Sequence, residues 1–176
     1  MRLFIAIEPD EKIRNALCGV MDELKKSGAR GNFSRRENLH LTLVFLGEIA
    51  PDRLGQVRAA MDAARLEPFT LTLAAPGRFK REGGDILWYG AEGGDTLLSL
   101  RRSLTDELIR RGLSPDEKPF RPHLTLARGA SGAPRIPEDA RGASQRTTAV
   151  ALMKSERVSG RLVYSKLYER HADGTD

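Results

Sequence analysis

The tetrapeptide His-Leu-Thr-Leu occurs twice, beginning at His40 and at His123, 83 residues apart. Only three histidines exist in the 176 residues, and two of them open these repeats. Each copy alternates polar and apolar residues, so on a strand His and Thr share one face while the two leucines share the other. The stretches preceding them repeat as well. Leu3-Phe4-Ile5-Ala6-Ile7-Glu8 aligns with Leu87-Trp88-Tyr89-Gly90-Ala91-Glu92 at an offset of 84, one residue from the histidine offset. Two offsets that agree so closely mark an internal repeat, and a repeat confines the chain to architectures with two similar halves.

The pattern around the repeats gives each half the same order. A buried strand over 3–7 is followed by Ile13, Leu17, Val20, Met21 and Leu24 at helical spacing, with Asp10 suited to the N-cap and Gly28 ending the helix. The first His-x-Thr strand covers 39–46. Pro51 then opens a helix carrying Leu54, Val57 and Met61, and 69–75 alternates as a strand. In the second half a strand over 86–89 leads to a helix from Asp95 with Leu97, Leu100, Leu104 and Leu108, closed by Gly112, and then to the second His-x-Thr strand. Residues 129–146, rich in Gly, Ala, Pro and Ser, read as a long surface loop. Closing strands are expected over 147–153 and 161–168, and a frayed tail over 172–176. The whole predicts one α+β domain spanning 1–176, internally duplicated and two-lobed, with antiparallel sheets lining a central cleft and helices on the outside. Equivalent strands on either side of that cleft bring the two histidines face to face.

Composition narrows the partners. No apolar run approaches the roughly 18 residues of a membrane span, and no basic region followed by a hydrophobic signal segment opens the chain. A cytoplasmic monomer with no membrane contact is expected. Cys18 is the single cysteine, so no intrachain disulfide or multi-cysteine metal site can form, and its place on an apolar helical stripe suits packing. The formal net charge is +5, and 22 of the 29 basic residues are arginine. The guanidinium fork matches phosphate oxygens, which favours a polyanion such as RNA. The codon bias of a high-GC genome produces the same excess, so charge leaves the ligand open.

Two histidines across a cleft suit phosphodiester chemistry. Hydrolysis of a cyclic phosphodiester needs a base to take a proton from attacking water and an acid to protonate the departing oxygen on the other side of phosphorus. Imidazole titrates near neutrality, so one ring can be neutral while the other is protonated. Thr42 and Thr125 can donate to phosphate oxygens. The scheme needs no cofactor and no metal; a zinc site built on His40 and His123 would lack a third protein ligand. The alternatives are strand histidines satisfied by neighbours, or a module that binds RNA ends without turnover.

The segments Asn38-Leu39-His40-Leu41-Thr42-Leu43-Val44-Phe45-Leu46-Gly47-Glu48 and Phe120-Arg121-Pro122-His123-Leu124-Thr125-Leu126-Ala127-Arg128 resemble the paired signatures of the two-histidine (2H) phosphoesterases. Within that superfamily they are most similar to the RNA 2′,3′-cyclic phosphodiesterases, also called 2′-5′ RNA ligases. The resemblance extends over about residues 1–128 and weakens beyond Gly129. It implies hydrolysis of an RNA terminal 2′,3′-cyclic phosphate to a 2′-phosphate, with reversible 2′-5′ ligation as a related reaction. It further implies His40 as proton donor, His123 as proton acceptor, and Thr42 and Thr125 as phosphate ligands. The motifs themselves are identical over four residues and do not distinguish donor from acceptor. Arg121 shares the face of His123, with Pro122 disturbing regular pairing. Arg128, five residues past His123, falls on the opposite face of a regular strand and needs a bend or the strand end to reach substrate. Phe45, Phe79, Trp88 and Tyr89 are candidates for base stacking or for the core. His171, with no paired motif, is expected at the surface.

Overall fold

The computed structural model describes residues 1–132 and 135–174. Alternation builds the centre of the fold. Strand β1 (Arg2–Ile7) buries both faces: Leu3, Ile5 and Ile7 join the large core beneath the helices, while Phe4 and Ala6 join a second cluster with Ala151 and Met153. Helix α1 (Glu11–Lys26) follows, and the Asp10 carboxylate caps it by accepting from the Ile13 N–H at 2.9 Å. Its five anticipated apolar residues are all buried. Each contributes about 1.5–3 kcal/mol by leaving water, against about 1 kcal/mol for the cap, so packing holds this helix and the cap sets where it begins.

The chain continues through β2 (Arg30–Phe33), β3 (Leu41–Glu48), α2 (Leu54–Ala63), β4 (Phe69–Phe79), β5 (Asp85–Glu92), α3 (Gly94–Arg110), β6 (His123–Ser131), β7 (Ser144–Thr147), β8 (Ala149–Val158) and β9 (Arg161–His171). The strands form one curled antiparallel sheet in the order β7-β4-β5-β6-β3-β1-β8-β9, with β2 also pairing β6. The α+β class holds, and the expected pair of sheets is two runs of four strands fused into one. β6-β5-β4-β7 forms one run and β3-β1-β8-β9 the other. Leu97, Leu100, Leu104 and Leu108 of α3 and Val57, Ala60 and Met61 of α2 are buried in the large core.

Two expectations shift. The loop foreseen over 129–146 is shorter, because β6 runs on to Ser131 and β7 already starts at Ser144. Both ends are polar or glycine-containing strands, which composition reads as loop; residues 133–134 within it lie outside the described residues, as do 175–176 of the expected tail. Pro51 opens a short 3-10 turn over Pro51–Arg53 before α2 proper. No helix among the described residues is long and apolar enough to cross a membrane.

Candidate active site

The two runs of the sheet meet where β3 pairs with β6, through Leu41 and Leu124. These two leucines hold equivalent positions in the two motifs. Extending their register by one residue sets His40 opposite Thr125 and Thr42 opposite His123, all four on the face away from the leucines. Opposed side chains of an antiparallel pair stand about 4.5–5.5 Å apart and diagonal ones about 7–8 Å. The two histidines are thus diagonal neighbours across the seam, and the charge of His123 is felt at His40.

Each ring is held in one tautomer. His40 Nδ1 lies 2.7 Å from the Asn38 carbonyl, and His123 Nδ1 lies 2.6 Å from the Arg121 carbonyl. A carbonyl only accepts, so Nδ1 carries the hydrogen in both rings and Nε2 is left for chemistry. Thr42 Oγ1 is 3.0 Å from His40 Nε2 and donates to it when that nitrogen is bare. Aromatic rings fix the imidazole planes: Phe4 and Tyr164 have centroids 4.8 and 5.0 Å from His40, and Phe79 and Trp88 have centroids 5.4 and 5.9 Å from His123. Phe4 and Trp88 are the pair that the offset of 84 aligns. Trp88 fits because Gly77 lies beneath it, where a Cβ would stand 2.4 Å from the indole.

A bulge in each motif strand decides what else reaches the cleft. On β3, Thr42 pairs with Ala6 but Val44 with Ile5, so Leu43 is an inserted residue. On β6, Thr125 pairs with Trp88 but Ala127 with Leu87, which makes Leu126 the insertion. Each insertion resets the alternation by one. Two buried residues run in sequence, Leu43-Val44 and Leu126-Ala127, and the next side chain returns to the histidine face. That residue is Phe45 in the first strand and Arg128 in the second. The bend that an Arg128 role required is this bulge. Arg128 lines the same cavities as His40.

The other candidates separate. Thr125 and Thr42 line the cleft. The Arg121 side chain is exposed and lines none of these cavities; what it brings to the site is its carbonyl on His123. Tyr89 is core, its hydroxyl donating to the Pro137 carbonyl at 3.1 Å. His171 is a surface residue, 2.8 Å from Glu169. Cys18 is half-buried with its Sγ 3.7 Å from Arg36 Nη1. No group of three or more His, Cys, Asp or Glu that could hold a metal ion exists among the described residues.

Electrostatics favour neutral imidazoles. Burial pushes both histidines below the ordinary value, outweighing the opposite pull of the carbonyls on Nδ1. The positive charge of Arg128 pushes both further down, and His123 adds to the effect on His40. No carboxylate among the described residues is ion-paired with Arg128. An anionic ligand beside it would favour the imidazolium that burial and Arg128 disfavour.

The sequence pattern of the 2′-5′ RNA ligase superfamily matches residues 9–159, a span that contains both motifs. The chain belongs to the 2′-5′ RNA ligase superfamily. Among its relatives there, the RNA 2′,3′-cyclic phosphodiesterase of Methanothermobacter thermautotrophicus is 30% identical, covering 95% of this chain and 96% of that protein. The corresponding protein of Thermus thermophilus is 35% identical over 89% of this chain and 82% of its own. The crystal structure of Escherichia coli LigT complexed with 3′-AMP superposes with a TM-score of 0.82 at 30% identity, covering 98% of this chain and 97% of that one.

Three parts of this candidate site are not legible in the sequence pattern. Phe4 was visible as the partner of Trp88 in the offset alignment but passes as core. Tyr164 lies on β9 and meets His40 only through the curl of the sheet. Asn38 belongs to the first motif's flank, and its carbonyl acts through a backbone position that no side-chain pattern reveals.

Proposed function

We propose that the chain hydrolyses the 2′,3′-cyclic phosphate at an RNA end to a 2′-phosphate, acting as one domain, 1–176, with a half-site from each of its two lobes. The observation that carries this reading is the pairing of Leu41 with Leu124, a register that sets His40 opposite Thr125 and Thr42 opposite His123 at the seam. Water attacks phosphorus and passes its proton to His123 Nε2, while the bond to the 3′ oxygen breaks and that oxygen takes a proton from His40 Nε2. Charge on the non-bridging oxygens is met by Arg128 and by the Thr42 and Thr125 hydroxyls. Arg128 also ties the protonation of the imidazoles to the arrival of substrate, since the phosphate offsets its charge. With an RNA 5′-hydroxyl in place of water, the same proton movements form a 2′-5′ bond, and reversal cleaves it. The names of the relatives and the 3′-AMP complex of LigT support a nucleotide substrate.

The test is incubation with an oligoribonucleotide ending in a 2′,3′-cyclic phosphate, followed by identification of the product. A 2′-phosphate is expected. A 3′-phosphate product would overturn the assigned leaving group, and tight binding without turnover would make the chain an RNA end-binding module instead.

A further inference from the structure

Two cavities flank His40 and Arg128, and their charges differ. One, of about 280 Å³, is lined by Arg35, Arg128, Arg157 and Arg161 among neutral residues, with no carboxylate. The other, of about 740 Å³, shares Arg128 and Arg157 with the first and adds Arg2 and Lys154, but also carries Glu48 and Glu156. There Lys154 Nζ lies 3.1 Å from Glu156 and the N-terminal ammonium 3.2 Å from Glu48. A polyanion gains most where cations are not already met by carboxylates.

From this contrast we infer that the RNA strand leading to the reacting end runs through the four-arginine cavity, with its backbone phosphates held by Arg157 and Arg161. The inference rests on the cyclic phosphodiesterase reading and adds the path of the substrate. Neither arginine is ion-paired with a carboxylate among the described residues; Arg157 Nη1 donates only to the Gly160 carbonyl, at 3.3 Å. By contrast Arg35 is bound to Glu37 at 2.7 Å and is the weaker candidate.

The two arginines flank a tight turn. Val158 pairs with Arg161 across Ser159 and Gly160, whose φ values of 50° and 77° make a two-residue hairpin of the kind that matches strand twist. Asn38 Nδ2 donates to the Leu162 carbonyl at 3.1 Å, tying the hairpin to the residue whose own carbonyl holds His40. The phosphate-binding tip and the catalytic ring are thus fixed to one residue. The cavity volume is close to the lower bound of about 300 Å³ for small-molecule sites, room for one nucleotide upstream of the reacting phosphate. A cyclic mononucleotide lacks that unit and reaches only the histidine end.

The experiment compares kcat/KM for a tetraribonucleotide ending in a 2′,3′-cyclic phosphate with that for the matching cyclic mononucleotide, in the wild type and in the Arg157→Ala/Arg161→Ala double variant. The wild type should favour the tetranucleotide, and the double variant should lose on the order of tenfold of that preference, mostly in KM. Arg157→Lys/Arg161→Lys should retain most of it, which separates lost charge from lost fold. The salt dependence of tetranucleotide binding should also flatten in the alanine variant, by about 1.4 in the log–log slope for two single-strand phosphates. An unchanged preference ratio overturns the path while leaving the catalytic reading in place. Wild-type protein that turns over neither substrate removes both.

Discussion

Phe45 and Arg128 stand 83 residues apart, each the first side chain returned to the cleft by a bulge in its strand. Equivalent in place, they differ in chemistry. Phe45 lies under the Arg2 guanidinium at 5.0 Å, whereas Arg128 is close enough to both histidines to depress their proton affinity. Identical motifs are thereby given unequal surroundings, with one cation acting on two imidazoles.

Replacing Arg128 by Ala should lower kcat/KM by about 10²–10³, the usual cost of losing one donor to transition-state charge. Its removal also takes away a positive charge that disfavours imidazolium, so the apparent pKa values of both histidines rise. The pH–rate profile of the variant should move to higher pH on both limbs. An unshifted profile would deny Arg128 its electrostatic role.

His40→Ala and His123→Ala should each reduce turnover by on the order of 10²–10⁴, with circular dichroism and thermal unfolding close to wild type. Neither ring belongs to the large core, so neither change opens it. Full activity in either variant would refute the acid-base pair.

Protonation should also affect stability. Burial lowers both histidines from the ordinary 6.5, so below that value the unfolded chain binds more protons than the folded one. Stability contributed by the neutral rings is present above pH 6.5 and falls as pH drops towards the folded-state values. Urea unfolding at pH 7.5 and 5.5 should show this loss, and the His40→Asn/His123→Asn double variant should show less of it.

Gly77→Ala tests the support of His123. The added Cβ would meet the Trp88 indole at 2.4 Å, so the ring must shift, at roughly 1–3 kcal/mol of stability. Trp88 is the sole tryptophan, and its fluorescence reports the change directly. Lower kcat together with an altered emission spectrum is expected; unaltered emission with full kcat would show that the ring does not orient His123.

Much of this was legible in the chain. The alternation of His-x-Thr placed His40, Thr42, His123 and Thr125 on one face, and helical spacing located the buried stripes of α1 and α3. What was hidden depends on neighbours. The bulges at Leu43 and Leu126 are made by register against β1 and β5, and a second apolar residue in a row gives no local sign of them. Strand β7 is Ser144-Gln145-Arg146-Thr147, with no apolar alternation at all. It is strand because Gln145 is satisfied in place, accepting from the Asp10 N–H at 2.7 Å and donating to the Glu8 carbonyl and Thr147 Oγ1, both at 3.2 Å. Arg30-Gly31-Asn32-Phe33 in β2 is likewise recruited by its partner β6.

The pairing of Leu41 with Leu124 is the one rung that the ladder between the two runs of the sheet supplies among the described residues. Side chains alternate with a period of two, so slipping that rung by a single residue would turn one His-x-Thr pair away from the other. The spacing of the two imidazoles is therefore gauged by two leucines on the opposite face, and under the proposed mechanism a conservative change of volume at either would be read out first as altered catalysis.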